Sequence, residues 1–359
     1  MLASYAWLKE LTGVDARPEE VAERLTSAGL EVEGLERKGT SLENVVIAEV
    51  RGLRPHPSAD KLRLVTLFDG ELEQEVVCGA PNVPEPGGRI VFARLGATLP
   101  GGFKLEERAI RGVVSRGMIC SETELGIGEG GEGILVLTDD EPATPGTPVV
   151  EALGLDDTII EIGLTPNRPD CLGHLGLARE LALLYRLPFS PPGVDALSTD
   201  PATVDGVTVT IEDAARCARY GAALVLGGVV KPSPFWLRYR LHCLGLRPIS
   251  NLVDATNLVM LEQGHPIHGF DLAKVRGRSI VVRTAREAET MPTLDGVERR
   301  FLAEDLLICD AEGPVAVAGV MGGAGSELGA DTRDVLIECA YFDPRSVRRT
   351  ARRLGLHTD

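Results

Sequence analysis

Between Asn44 and Val150 no regular element can run far. Glycine and proline interrupt the chain at Pro81, Pro84, Pro86-Gly87-Gly88 and Pro100-Gly101-Gly102, and glycines recur from Gly126 to Gly133. Proline lacks a backbone donor, and glycine weakens any strand or helix it enters. The intervening runs are short and β-like: Val45–Val50, Leu62–Leu67, Glu75–Cys78, Arg89–Ala93, Ile110–Val114 and Ile134–Leu137. Strands of this length and spacing predict a small barrel or sandwich. Asp139–Pro148, with prolines at 142, 145 and 148, reads as its exit linker.

The flanks have a different character. Residues 18–28 predict a short helix with Pro18 in its first turn and Gly29 as its stop, followed by a strand from Leu30 to Leu35. The turn-rich segment Thr165-Pro166-Asn167-Arg168-Pro169-Asp170 leads into a helix with Leu177, Leu181 and Leu184 on one face. Pro188–Pro201 reads as a second linker. Beyond it strands (Val207–Ile211, Ala222–Val230, Ser279–Arg283, Leu306–Cys309, Pro314–Val320, Val335–Ala340) mix with helices at Pro234–Leu244, Asn251–Glu262 and Arg345–Leu354. Ser250 is the expected N-cap of the second helix. This pattern predicts an α+β or α/β domain, and 359 residues suit two or three domains in all.

Lys and Arg number 37 against 53 Asp and Glu, a net charge of −16, so any nucleic-acid contact must rest on local patches. Seven dispersed cysteines without a C-x-x-C pair fit free thiols in a reducing compartment. The longest apolar runs fall well short of a membrane span, and the first residues lack a signal-peptide pattern. The expectation is a cytoplasmic protein with no membrane partner.

Gly126-Ile127-Gly128-Glu129-Gly130-Gly131 matches GxGxxG, but Glu129 and Glu132 would face a pyrophosphate and a strand follows instead of a helix. A flexible loop is the better reading. Neither a P-loop nor a GxSxG elbow occurs. His265 and His268 stand three apart, compatible with a packed pair, a substrate contact or a metal, although no third ligand is evident. Thr256-Asn257 interrupts an apolar helix, so these residues face either solvent or a polar cavity. Gly319-Val320-Met321-Gly322-Gly323 ends an apolar strand, either as a tight turn or where backbone approaches a ligand. Glu338 lies inside another apolar strand, where a carboxyl is costly unless it is paired or hydrogen-bonded. Arg345, Arg348, Arg349 and Arg352 share one helical stripe, a solvated face or a phosphate-facing one. The barrel has its own cations in Arg54, His56, Lys61 and Arg63, and in Lys104, Arg108, Arg111 and Arg116.

Several segments carry a resemblance. His56-Pro57-Ser58-Ala59-Asp60-Lys61-Leu62, Val77-Cys78-Gly79-Ala80-Pro81-Asn82 and Arg111-Gly112-Val113-Val114-Ser115-Arg116-Gly117-Met118-Ile119-Cys120-Ser121 resemble an EMAP-II-type, OB-fold tRNA-binding module. The flanks narrow this. Leu164–Asp170, Leu246–Asn257, Ala318–Gly323 and Arg352–Asp359 are similar to the bacterial phenylalanyl-tRNA synthetase β subunits, in the family's order.

The resemblance implies a multidomain α+β fold. Residues 1–39 plus 152–190 would form a small discontinuous domain, 40–151 an inserted OB-fold β-barrel, and 200–359 an α/β editing domain that hydrolyses tyrosine mischarged onto tRNA(Phe). Thr256, Asn257 and His268 would then be catalytic, with Glu338 and Gly319 contacting substrate. Arg54, His56, Lys61, Arg116, Arg348 and Arg352 would meet tRNA. No metal or cofactor is expected on this chain. ATP and Mg2+ would serve the complete enzyme, an α2β2 heterotetramer whose α subunit carries the synthetic motifs. The family's β subunits are longer, so aminoacylation by this chain alone is not expected. The competing readings are a tRNA-binding OB adaptor without chemistry and a metal-dependent hydrolase centred on His265 and His268.

Overall fold

The computed structural model describes residues 1–40, 42–138, 141, 143–193 and 206–356. Two compact units emerge, one of residues 1–191 with 233–248, the other of residues 192–232 with 249–359.

In the first unit, β1 (Leu2–Ser4), β2 (Glu31–Arg37) and β11 (Thr158–Gly163) form an antiparallel sheet with β11 in the centre. Helices α1 (Tyr5–Thr12), α2 (Pro18–Ser27) and α3 (His174–Tyr185) pack around it. Their apolar faces meet in a core that includes Leu8, Val21, Leu25, Ile160, Leu177 and Leu181. Pro18 opens α2 and its missing N–H costs nothing there. Between β2 and β11 the chain builds a second, six-stranded antiparallel sheet. Its members are β3 (Val45–Pro55), β4 (Arg63–Phe68), β5 (Glu73–Cys78), β6 (Arg89–Ala93), β9 (Met118–Ile119) and β10 (Val136–Leu137). β3 pairs with β6 through its first half and with β4 through its second, with a register shift between Val50 and Gly52. Such a bulge bends one strand into two pairings and curls the sheet toward a barrel. Val46, Val65, Val76, Ile90 and Phe92 fill its interior.

Several expectations need correction here. Ile110–Val114 is not a strand but a hairpin of β7 (Arg108–Ile110) and β8 (Val113–Ser115), turned by Arg111 (φ 51°) and Gly112 (φ 89°). Only Val136–Leu137 of the last expected strand pairs. The exit segment is stitched to the sheet it leaves: Ile47 donates to Thr147 (2.9 Å), Gly146 to Ile47 (2.8 Å), and Pro148 bridges to Val46. Asp139, Asp140 and Pro142 of that segment lie outside the described residues, as do 194–201 of the second expected linker. Helix α4 (Phe235–Cys243) belongs to this first unit. The Tyr239 hydroxyl donates to Leu155 O (2.8 Å), Arg238 pairs with Glu122, and Arg240 lies 4.6 Å over Trp7.

The second unit contains a five-stranded sheet in the order β12 (Thr208–Ile211), β15 (Ser279–Thr284), β16 (Leu306–Cys309), β17 (Pro314–Val317) and β18 (Met321–Gly322). A three-stranded sheet places β19 (Val335–Phe342) between β13 (Cys217–Val225) and β14 (His268–Asp271). Cys217, Phe270, Val282, Ile308, Ala316 and Leu336 join the two sheets in one core. Among the described strands only β12–β15 pair in parallel, so the α/β expectation gives way to a largely antiparallel α+β unit. Alternating strand and helix did not translate into parallel crossovers, because strands distant in sequence pair antiparallel, as β19 does with both β13 and β14. The strand expected at Ala222–Val230 starts at Cys217 and stops at Val225. Helix α5 (Asn251–Gln263) begins after Ser250, whose side chain makes no capping bond; the Asp254 carboxylate instead accepts Ile249 N–H (2.8 Å). Helix α6 (Pro344–Leu354) is capped by Asp343, which accepts Ser346 N–H (2.8 Å). No helix of the described residues is long and apolar enough to cross a membrane.

Candidate functional site

The central strand β19 puts a carboxyl where an apolar sheet would have none. Glu338 pairs in register with His268 of β14 on one side and Ala222 of β13 on the other. Directly paired residues share a face, so Glu338 and His268 point the same way. Tyr220, opposite Ala340, and Phe270, opposite Leu336, are the diagonal neighbours on that face. Glu338 is 6% exposed, and burial pushes its pKa up to about 8 against the weaker pull of the Tyr220 hydroxyl. At neutral pH the carboxyl therefore keeps its proton. Burial drives His268 the other way, down to about 4, so its imidazole is neutral.

Packing fixes the imidazole in place. Its ring meets Phe270 edge-on, with centroids 4.6 Å apart. On another side it abuts Gly322, where a Cβ would come within 2.9 Å of the ring. Only glycine leaves room for the histidine there. Helix α5 packs on β14 and carries the buried Thr256, whose hydroxyl donates to Val253 O (2.7 Å), and the half-buried Asn257. Gly264 (φ 72°) ends α5 and returns the chain through Pro266 to His268.

Beyond Glu338 on the same face of β19, Ala340 and Phe342 line a cleft of about 680 Å³ with His265, Gly319, Arg348 and Arg352. Gly319 (φ 65°) sits where a side chain would also press on Val347 and Phe342. Sequence-expected residues thus fall into two neighbouring groups: His268 with Glu338, flanked by α5, and Gly319 with Arg348 and Arg352. On α6, Ser346 and Thr350 are buried while Arg345, Arg348, Arg349 and Arg352 are exposed, and these four make no ion pair with the described residues. Arg353 is different, since it pairs with Asp305, which also accepts from Thr350 (2.9 Å).

The cations expected on the first unit are less available than their number suggests. Arg54 forms a two-pronged pair with Glu75 (2.8 and 2.7 Å), and Arg116 binds Glu107 (2.7 Å). His56 is buried, with Nε2 3.2 Å from Ile110 O and Nδ1 accepting Ser58 N–H (3.2 Å). Its imidazole pins a loop and offers no free edge to a ligand. Lys61 and Arg63 are exposed and carry no acidic partner among the described residues, as are Lys104, Arg108 and Arg111. The Ser58 hydroxyl donates to Arg111 O (3.1 Å), which holds the Lys61 loop against the Arg111 turn.

Sequence reasoning missed Tyr220 and Gly322 as members of the Glu338 site. Extending the strand's period-two pattern back from Ala222 would have found Tyr220. No three His, Cys, Asp or Glu side chains among the described residues group as a metal site. All seven cysteines are free and Cys339 alone is exposed.

Comparison with known proteins gives two family models. Residues 45–148 match the model described as "Putative tRNA binding domain", and residues 216–359 match the B3/4 domain. Curated relatives match over the whole chain. The phenylalanine–tRNA ligase β subunit of Geobacter sulfurreducens is 46% identical over 359 residues, covering 100% of this chain and 44% of its own length. That of Anaeromyxobacter dehalogenans is 48% identical over 361 residues, with the same coverage. Among solved structures, an N-terminal fragment of the phenylalanyl-tRNA synthetase β-subunit from Pyrococcus horikoshii shares 17% identity at a TM-score of 0.31, covering 53% of this chain and 58% of that one. That likeness is too low to bear on the fold. The chain spans under half the length of the curated relatives it matches. Over its full length the chain is thus similar to phenylalanine–tRNA ligase β subunits, at 46% and 48% identity to these two, and it carries matches to a tRNA-binding and a B3/4 domain model.

Proposed function

We propose that this chain supplies the tRNA-holding and mischarge-hydrolysing parts of a phenylalanine–tRNA ligase. In this reading residues 40–151 are an OB-fold module inserted into the small domain of residues 1–39 and 152–190, and residues 200–359 are the editing domain. The substrate is Tyr-tRNA(Phe). The observation that carries it is a buried carboxyl, Glu338, with no ion-pair partner among the described residues, in register with a neutral imidazole, His268.

A site that binds the phenylalanyl ring through apolar contacts discriminates weakly against an isostere carrying one more hydroxyl. A second site that hydrogen-bonds that hydroxyl does better, because phenylalanine leaves its polar group unpartnered. Glu338 suits this task and accepts the tyrosyl hydroxyl through a carboxyl oxygen. His268, held neutral, accepts a hydrogen bond from the attacking water, while Thr256 and Asn257 orient the ester and the Gly319 backbone bounds the aminoacyl group. With no nucleophile motif, water attacks the ester directly and positioning supplies most of the rate. Arg348 and Arg352 take the phosphates of the tRNA 3′ strand, and Lys61 of the barrel meets tRNA elsewhere. Synthesis of Phe-tRNA(Phe), with its ATP and Mg2+, falls to the α2β2 assembly with an α subunit, in the cytoplasm.

The test is release of tyrosine from Tyr-tRNA(Phe) by this chain and by a complete α/β assembly, beside Glu338→Ala and against Phe-tRNA(Phe). Tyrosine-selective release that the variant loses supports the proposal. No release in either context leaves the non-catalytic tRNA adaptor.

A further inference from the structure

Two side-chain oxygens among the described residues are buried without a hydrogen-bond partner, the hydroxyls of Tyr185 in the first unit and Tyr220 in the second. Buried hydroxyls normally find partners, so each calls for a reason. Tyr185 has the Glu20 carboxylate near its hydroxyl and the Arg24 guanidinium 4.5 Å from its ring centroid. Tyr220 has only the Glu338 carboxyl near its hydroxyl. It stands on β13 diagonally across from Glu338, on the same face, beside the carboxyl yet without a completed hydrogen bond. The titratable groups facing Glu338 are Tyr220 and Cys217 from β13 and His268 from β14. Cys217 directs its thiol to Arg219 O (3.5 Å), which leaves Tyr220 as the phenolic donor at the carboxyl.

We propose that Tyr220 is a positioning residue for Glu338, its hydroxyl donating to one carboxylate oxygen once a substrate hydroxyl donates to the other. The inference rests on Glu338 as the reader of the tyrosyl hydroxyl. In the empty site the carboxyl is protonated and Tyr220 is unpaired. A tyrosyl group brings a second donor; the proton of Glu338 passes to solvent, and two hydroxyls hold the resulting carboxylate. A phenylalanyl group brings none, so the carboxyl stays protonated and buried. Selectivity then depends on two donors acting together, and charge-assisted hydrogen bonds are the stronger kind. Tyr220 touches the reader and not the scissile ester, so its loss should blunt discrimination and leave the hydrolytic step intact.

The experiment uses the full chain and three variants, Tyr220→Phe, Glu338→Gln and the control Tyr185→Phe. Binding of tyrosinamide and phenylalaninamide is titrated by calorimetry, and the Glu338 carboxyl is followed by carbon-13 NMR across pH, with and without tyrosinamide. The proposal expects Tyr220→Phe to cut the tyrosinamide preference about tenfold and to raise the Glu338 midpoint by about one pH unit. Tyr185→Phe should change neither. A Glu338 midpoint unmoved in Tyr220→Phe overturns the proposal, even if no amide binds. A wild-type chain without tyrosinamide preference, whose midpoint still moves in Tyr220→Phe, refutes the editing reading instead and keeps the coupling of the two groups. Deacylation of Tyr-tRNA(Phe) by Tyr220→Phe with a lower kcat but a KM unchanged from wild type would also overturn it, because a positioning role acts on recognition.

Discussion

Asp69 in the first unit and Glu338 in the second are both buried carboxyls, and their surroundings treat them in opposite ways. Asp69 Oδ1 accepts the Glu71 and Leu72 amides (3.0 and 2.8 Å), while Oδ2 takes Arg94 (2.9 Å) and Gln74 (3.1 Å). Burial alone would raise its pKa, but those amides and the guanidinium outweigh it, so the carboxyl sits below its ordinary value. Glu338 has burial without that company, and its pKa rises to about 8. A saturated buried carboxylate organises a turn. An unsaturated one is a vacancy for a donor, the mark of a site. The same contrast separates Arg54 and Arg116, tied to glutamates, from Arg348 and Arg352, which have no acidic partner among the described residues.

The comparison can be broken most severely at Asp69. Asp69→Ala strands Arg94 and two amides, and should lower the unfolding free energy of the first unit by about 4 kcal/mol, read by urea denaturation. A loss under about 1 kcal/mol would mean that its hydrogen bonds organise nothing.

Next comes the pH dependence of the second unit. Folded Glu338 keeps its proton from pH 4.5 to about 8, where the unfolded chain releases it, so that group costs stability as pH rises. His268, neutral in the fold down to about 4, gives stability that is lost as pH falls below 6.5. The two slopes cancel between roughly 4.5 and 6.5, leaving a net decline of about 2 kcal/mol from pH 6.5 to 8. Glu338→Gln should remove that decline while abolishing tyrosine preference, and a variant that keeps it would locate the titration elsewhere. The double variant Arg348→Ala/Arg352→Ala should weaken tRNA binding about tenfold and lower the salt slope by about 1.4, the value for two single-strand phosphates. Arg54→Ala is the smallest effect: its partner already neutralises it, so tRNA affinity should change by less than about twofold at physiological salt.

Much of this was legible in the chain itself, and the reasons are local. Glu338 announced itself as a charge in an apolar strand, and the α6 arginines by their helical spacing. The glycine and proline punctuation of residues 44–150 located the short strands, because turn chemistry acts over a few residues. What stayed hidden depends on pairing between distant segments. That Glu75 would claim Arg54, or that Ile110 O would claim His56, follows from strand register, which no local pattern specifies. Tyr220 was missed for a related reason. Gly221 beside it reads as a break, yet its amide plane simply continues the ladder opposite Cys339. The α/β expectation failed on topology, since helix and strand order alone does not say which strands pair.

The register of β2 against β11 has a consequence for modularity. Arg37 pairs with Thr158, and Lys38 N–H donates to Asp157 O (2.8 Å), so the chain leaves and rejoins the three-stranded sheet at adjacent points. Everything between leaves and returns through one closed doorway, with helix α4 as a further tie through Arg238–Glu122 and Tyr239–Leu155. Ends this close mean that an insert of almost any length adds little closure entropy to its host. Joining Lys38 to Asp157 by an Asn-Gly turn would convert β2 and β11 into an ordinary hairpin and keep Asp157 on Ser4 and Ala6. The six-stranded sheet is in this sense a cartridge, exchangeable for another nucleic-acid reader without redesign of the sheet that carries it.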